Sequence, residues 1–104
     1  MSENNVLQML GLAMKAGKVA SGEFSTEKAV KTGKALLVLV AADASENTKK
    51  KFTNMCEYYD VPLYDIATKE ELGHFIGKEF RASIAVLDHN FATSIIGKIE
   101  AKRR

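Results

Sequence analysis

Apolar positions at helical spacing open the chain: Val6, Leu10, Ala13 and Met14 share one face, Ser2 or Asn4 stands ahead of them as a cap, and Gly17 follows. They predict a helix over about residues 4 to 16. Lys18 to Ser21 is short, polar and β-branched, either an edge strand or only a turn, and leads into Gly22. From Phe24 to Thr32 the spacing of Phe24 and Val30 is weakly helical, with Ser21 or Gly22 as a start and Gly33 as a left-handed stop, so a second short helix is expected. Ala35 to Ala42 then runs apolar without alternation, the pattern of a strand covered on both faces.

Asp43 ends that strand, and Ser45 and Thr48 offer caps to the strongest periodicity in the chain: Phe52, Met55, Cys56 and Tyr59 at i, i+3, i+4 and i+7. The helix they predict, about residues 46 to 59, turns Lys49, Lys50 and Lys51 mostly outward. Val61 to Ile66 reads as a short strand with Pro62 near its start, where a missing N–H is tolerated. Thr68-Lys-Glu-Glu71 is a capping-box pattern, in which hydroxyl and carboxylate satisfy each other's free backbone N–H groups, and Leu72, Phe75 and Ile76 supply the buried face of a helix that Gly77 ends. Ser83 to Asp88 is another buried strand, followed by Asn90 as a cap and by Phe91, Ile95 and Ile99 as the inner face of a last helix. Strands alternating with helices predict an α/β fold, an α-β-α sandwich with helices on both sides of a sheet of three or four strands.

Composition narrows the class without changing the picture. With 104 residues, 46% of them hydrophobic, the chain has room for one core and is expected to be a single domain over residues 1–104. No apolar run approaches the roughly 18 to 20 residues that span a bilayer, and a cytoplasmic protein with no membrane partner is expected. The lone Cys56 cannot form an internal disulfide, and with only His74 and His89 beside it no metal-ligand spacing can be assembled, so neither metal nor other cofactor is expected. Fifteen Lys and Arg against thirteen Asp and Glu leave a net charge of +2, basic without identifying a polyanion binder by itself.

Candidate chemistry is sparse. Asp43 and Asp88 each follow an apolar strand, at the edge where open α/β sheets hold ligands, but no third group joins them and helix capping is the simpler role. There is neither a GxGxxG nor a GxxxxGK[ST] stretch to cradle nucleotide phosphates, and no small-molecule substrate is expected. Cys56 lies on an apolar helix face and reads as a buried, inert thiol. Lys102-Arg103-Arg104 reads as a solvated end, with screened attraction to a polyanion as its alternative role. What stands out is the stretch from Lys15 to Lys34, where lysines surround a glycine at a helix N-terminus. Exposed backbone N–H groups and the positive end of the helix dipole there suit phosphate or base acceptors.

The segments Gly22-Glu-Phe-Ser-Thr-Glu-Lys28, Gly33 to Asp43, Cys56-Glu57 before Val61-Pro62, Glu71-Leu72-Gly73 and Ile84 to Asp88 resemble the archaeal and eukaryotic ribosomal-protein L-seven-Ae family, whose members bind kink-turn RNA. Leu10 to Lys18 and Asp43 to Lys50 are closer still to its bacterial branch, the YlxQ-type proteins. The resemblance implies a three-layer α-β-α sandwich around a small mixed sheet, and a non-enzymatic, ribosomal-protein-like partner of bent or bulged RNA. It also implies that the RNA is read by the N-terminus of the second helix, through glycine, any residue, asparagine, glutamate, two further residues and lysine. That pattern falls on Gly22, Glu23, Phe24, Ser25, Thr26, Glu27 and Lys28, so glycine and lysine are kept while Phe24 and Ser25 replace the amide and carboxylate that bond guanine edges.

Phe24 then either stacks on an extruded base or turns inward to the core. In relatives the loop before the last strand packs against the bulge; here it is Lys78 to Ser83, with Arg81 as a phosphate or base contact, Phe80 as an apolar platform or as core, and Ala82 beside them. Lys15 and Lys18 would lie near the RNA backbone as positioning contacts. The rival reading is a protein-interaction module, with Phe24 and Phe80 forming one apolar anchor. A monomer is the default expectation for a mixed-charge surface without heptads.

Overall fold

The computed structural model describes residues 4–103, so the candidate cap Ser2 and the terminal Arg104 lie outside the described residues. The chain runs α1 (Asn4–Lys15), β1 (Val19–Ser21), α2 (Glu23–Lys31), β2 (Leu37–Val40), α3 (Glu46–Tyr59), β3 (Leu63–Asp65), α4 (Lys69–Phe75), β4 (Ser83–Val86) and α5 (His89–Lys102). Lys18 to Ser21 is therefore a strand. The sheet order is β1-β4-β2-β3, with β4 antiparallel to both neighbours and β2 parallel to β3.

Burial follows that order. Every residue of the central strands β2 and β4 is buried, as an unbroken apolar run requires, whereas β1 and β3 at the edges are half-buried or exposed. Helix α1 packs on α4 and α5, and α2 packs on α3, which gives a helical layer on each side of the sheet. The fold is the three-layer α-β-α sandwich expected. Phe52, Leu10, Leu37, Leu39 and Ile95 are among the largest fully buried side chains, and Cys56 is buried among them, its thiol pushed up to about 11 by that burial.

Several ends differ from the sequence expectation. Strand β2 begins at Leu37 because the Ala35 N–H turns back to the Ala29 carbonyl at the end of α2. The last helix is capped by Asp88, whose Oδ2 accepts the Phe91 N–H at 3.0 Å, and not by Asn90. Asp43 does not cap the helix that follows it. Ser45 takes that role, and Asp43 Oδ1 instead accepts the Lys69 N–H at 2.8 Å, in the first turn of α4. The capping box at Thr68 and Glu71 is formed as expected. Nor is Arg103 a free end: it donates to the Asp65 carbonyl at 2.8 Å and lies over the Tyr64 ring, while the Tyr64 hydroxyl donates to Glu100. Together these contacts pin the end of α5 over edge strand β3, one way of blunting an exposed edge.

This topology sets the ends of three strands together. β1, β2 and β3 all finish on one side of the sheet, where β4 begins, so α2, α3 and α4 start from a common edge.

Candidate nucleic-acid interface

The centre of that edge is Gly22. Its φ of 92° and ψ of 162° belong to a backbone region that only glycine enters readily, and a Cβ placed there would meet open space. The constraint is conformational, not steric. Gly22 donates to the Ser83 carbonyl at 3.0 Å and accepts the Thr26 N–H at 2.9 Å, which anchors the turn to β4 while α2 starts. Among the described residues no side chain caps the helix, so the first N–H groups of α2 are left without a capping acceptor at its positive end.

Around this terminus the helical repeat sorts the side chains. Thr26, Ala29 and Val30 are buried against the sheet. Ser25 and Lys28 are exposed, and Phe24 is 77% exposed, so of its two alternatives the inward one is excluded. Phe24, Glu27, Lys28, Lys31 and Thr32 line an open cleft of about 290 Å³. Among the described residues Lys28 pairs with no carboxylate. Glu23 points sideways instead, its Oε2 held 2.8 Å from Lys51 Nζ on α3.

The loop before β4 comes alongside because Ser21 pairs with Ile84 across the sheet. Arg81 Nε donates to Ser21 Oγ at 3.2 Å and Nη1 donates to the Phe80 carbonyl at 2.7 Å, which aims the guanidinium and leaves three of its five N–H donors free of these bonds. The Arg81 N–H donates to the Lys69 carbonyl and the Lys69 N–H donates to Asp43, so the start of α4 is tied to the loop before β4 and to the end of β2, and the Arg81 guanidinium extends the link to Ser21. Ala82 is half-buried and its carbonyl accepts the Ala41 N–H, a ladder position more than a contact.

Phe80 is 61% exposed, so it is no core residue either. It shares a cleft of about 530 Å³ with Phe75, His74, Lys78 and three glutamates, Glu70, Glu71 and Glu79, and Phe24 lines a different cleft. Lys15 and Lys18 are not brought to Gly22. Lys18 lies at the opposite end of β1, where its carbonyl accepts the Leu87 N–H, and Lys15 lines a groove with Leu12, Phe75 and Ile76.

Two features at this edge were not foreseen from sequence: the Ser21 contact that orients Arg81, and the reach of Lys51 from α3 to α2. The second had a signal in the helical placement of Glu23 and Glu27 one turn apart. Its partner, however, lay in a lysine run whose direction periodicity leaves open.

The profile of the ribosomal protein L7Ae/L30e/S12e/Gadd45 family matches residues 4–96. The chain is 45% identical to the RNA-binding protein YlxQ of Bacillus subtilis, over 88% of this chain and 92% of that one, and 41% identical to its namesake in Enterococcus faecium, over 88% and 91%. Its fold superposes with a TM-score of 0.88 on a protein of unknown function from Bacillus halodurans, at 36% identity over 91% of this chain and 96% of that one. It superposes with a TM-score of 0.81 on the 15.5kD RNA binding protein of Giardia lamblia, at 26% identity over 97% and 89%.

Proposed function

Because the chain belongs to the L7Ae/L30e/S12e/Gadd45 family of ribosomal proteins, we propose that it is a non-enzymatic RNA-binding protein that recognises a kink-turn or a similarly bent or bulged RNA helix. The observation that carries the reading is the open N-terminus of α2 at Gly22, with Phe24, Ser25 and Lys28 exposed beside it and Arg81 aimed from the next loop. The names of the YlxQ and Giardia relatives, as RNA-binding proteins, support the same direction.

In this reading the absence of a Cβ at Gly22 lets an RNA backbone approach the free N–H groups of α2, where the dipole favours an anion. Lys28 and Arg81 supply the cationic contacts, and Ser25 offers one hydroxyl to a base edge. Phe24 takes the place of the family asparagine by a different interaction, stacking on a base displaced at the bend. Recognition thus leans on shape and stacking more than on paired bonds to guanine. The cleft at Phe80 marks the border of the footprint, since its three glutamates, Glu70, Glu71 and Glu79, outnumber Lys78 and disfavour phosphate. Lys15 and Lys18 contribute at most to the long-range field.

The test is a binding titration at two salt concentrations against a kink-turn RNA and a straight duplex of equal length. Tight, salt-sensitive binding that prefers the kinked RNA is expected. Equal, weak binding to both would overturn the reading and turn attention to a protein partner.

A further inference from the structure

Helix α2 carries two carboxylates, Glu23 and Glu27, next to the surface assigned above to a polyanion. At one turn apart they share a flank, and unpaired they would repel phosphate within the screening length of roughly 8 to 10 Å. Their contacts answer this. Lys51 Nζ, reaching over from α3, lies 2.8 Å from Glu23 Oε2 and 2.8 Å from Glu27 Oε1, and Lys31 takes the other Glu27 oxygen at 2.7 Å. Two carboxylates and two ammonium groups cancel, and Lys28 is left as the cation of α2 that pairs with no carboxylate among the described residues. Exposed ion pairs add little to stability, so the arrangement is better explained by what it removes from the surface.

We infer that Lys51 is a positioning residue for RNA binding: by clamping Glu23 and Glu27 against α3 it frees the start of α2 and Lys28 of competing negative charge. The inference rests on the RNA-binding reading and adds a residue on another helix, outside the family pattern at Gly22 to Lys28.

The experiment compares the wild-type chain, Lys51→Met, and the triple variant Lys51→Met/Glu23→Gln/Glu27→Gln, each titrated with a kink-turn RNA at low and high salt after thermal melts confirm folding. Lys51→Met is expected to weaken binding roughly two- to fivefold at low salt, with the loss shrinking at high salt. The triple variant is expected to recover wild-type affinity, because the repelling charges are gone. Loss without recovery would overturn the clamp and assign Lys51 to a direct RNA contact. Wild-type binding untouched by Lys51→Met would also overturn it, leaving the RNA reading intact. A wild-type chain that shows no salt-sensitive binding would remove both.

Discussion

Arg81 Nε donates to Ser21 Oγ at 3.2 Å across sixty residues of sequence, so the loop before β4 and the residue before Gly22 present one surface. The guanidinium is aimed before any ligand arrives, which limits the entropy lost on binding. Replacing Arg81 by alanine is expected to cost about 1–3 kcal/mol of RNA affinity and to lower the salt slope by about one unit. Ser21→Ala keeps the charge but releases its direction, and a smaller loss with an unchanged slope is expected. Titrations of both variants across salt decide this, and an unchanged Arg81→Ala would remove the residue from the interface.

Phe24 and Lys28 lie one turn apart on the same cleft but act through different physics. A stacked base is lost with Phe24→Ala at about 1–3 kcal/mol, for kinked RNA and not for a duplex, with little effect on the salt slope. Lys28→Ala is expected to cost a similar amount if it reads a base, and to reduce the slope by about one unit if it touches only phosphate. Neither exposed side chain supports the core, so unfolding free energies should stay within about 0.5 kcal/mol of wild type. A Phe24→Ala variant that binds kinked RNA normally would rule out stacking.

The Glu27 carboxyl is drawn from its ordinary 4.5 down to about 2, first by the hydrogen bond from Lys31 and next by that from Lys51, against an opposing cost of desolvation. A depressed carboxyl stabilises the fold fully above about 4.5 and loses that contribution as the pH falls toward about 2. The Glu27 carboxyl is therefore expected to be charged at neutral pH, where RNA binding is measured. Titration of the carboxyl carbon by NMR should give a midpoint near 2 in the wild-type chain and a higher one in Lys51→Met. An ordinary midpoint in the wild-type chain would show that the pairs are not kept in solution.

What was legible in the sequence was whatever local spacing decides. The apolar run around Leu37 to Val40 and the Phe52, Cys56 face of α3 announced themselves because burial on two faces and on one face leave different patterns. Strand β1 stayed ambiguous because three residues carry no period, and it is a strand only through its pairing with β4. Asp43 illustrates the same limit, since its partner is the start of α4 and not the helix beside it. At the site, the family pattern located Gly22 and Lys28. Whether Phe24 and Phe80 face out, where Lys18 ends up and what Lys51 grips depend on how elements meet, which no spacing along the chain encodes.

Thr26 is fully buried in α2, and its hydroxyl has no hydrogen-bond partner among the described residues. An unmet buried hydroxyl costs roughly 1–3 kcal/mol, and valine fills nearly the same shape without it. Thr26→Val is therefore expected to raise stability, by up to about 2 kcal/mol in chemical denaturation, with RNA affinity unchanged because the side chain faces the core. A destabilised variant would show that the hydroxyl is satisfied in solution.

Gly73 is buried within α4, and a Cβ there would fall 2.3 Å from the Glu79 carbonyl oxygen, 2.6 Å from its carbon and 3.0 Å from the Phe80 nitrogen. These are backbone atoms of the loop that carries Arg81, and they cannot rotate away as a side chain end would. The same loop is held down by the Lys78 N–H, which donates to the Gly73 carbonyl at 2.8 Å. Gly73→Ala must therefore lift the loop, and overpacking of this kind costs about 1–3 kcal/mol of stability, or roughly 4–8 °C in melting temperature for each of them. Lifting the loop also draws Arg81 from Ser21 while keeping its charge, so RNA affinity should fall at least as far as in Ser21→Ala even at temperatures where the variant remains folded. Gly77 provides the contrast: a Cβ there meets open space, and only its φ of 77° opposes a side chain. Gly77→Ala should accordingly cost stability through backbone strain while leaving Arg81 and RNA binding in place. Melts and titrations of the two variants side by side check the argument, and equal losses of binding in both would mean that the loop is not seated on Gly73.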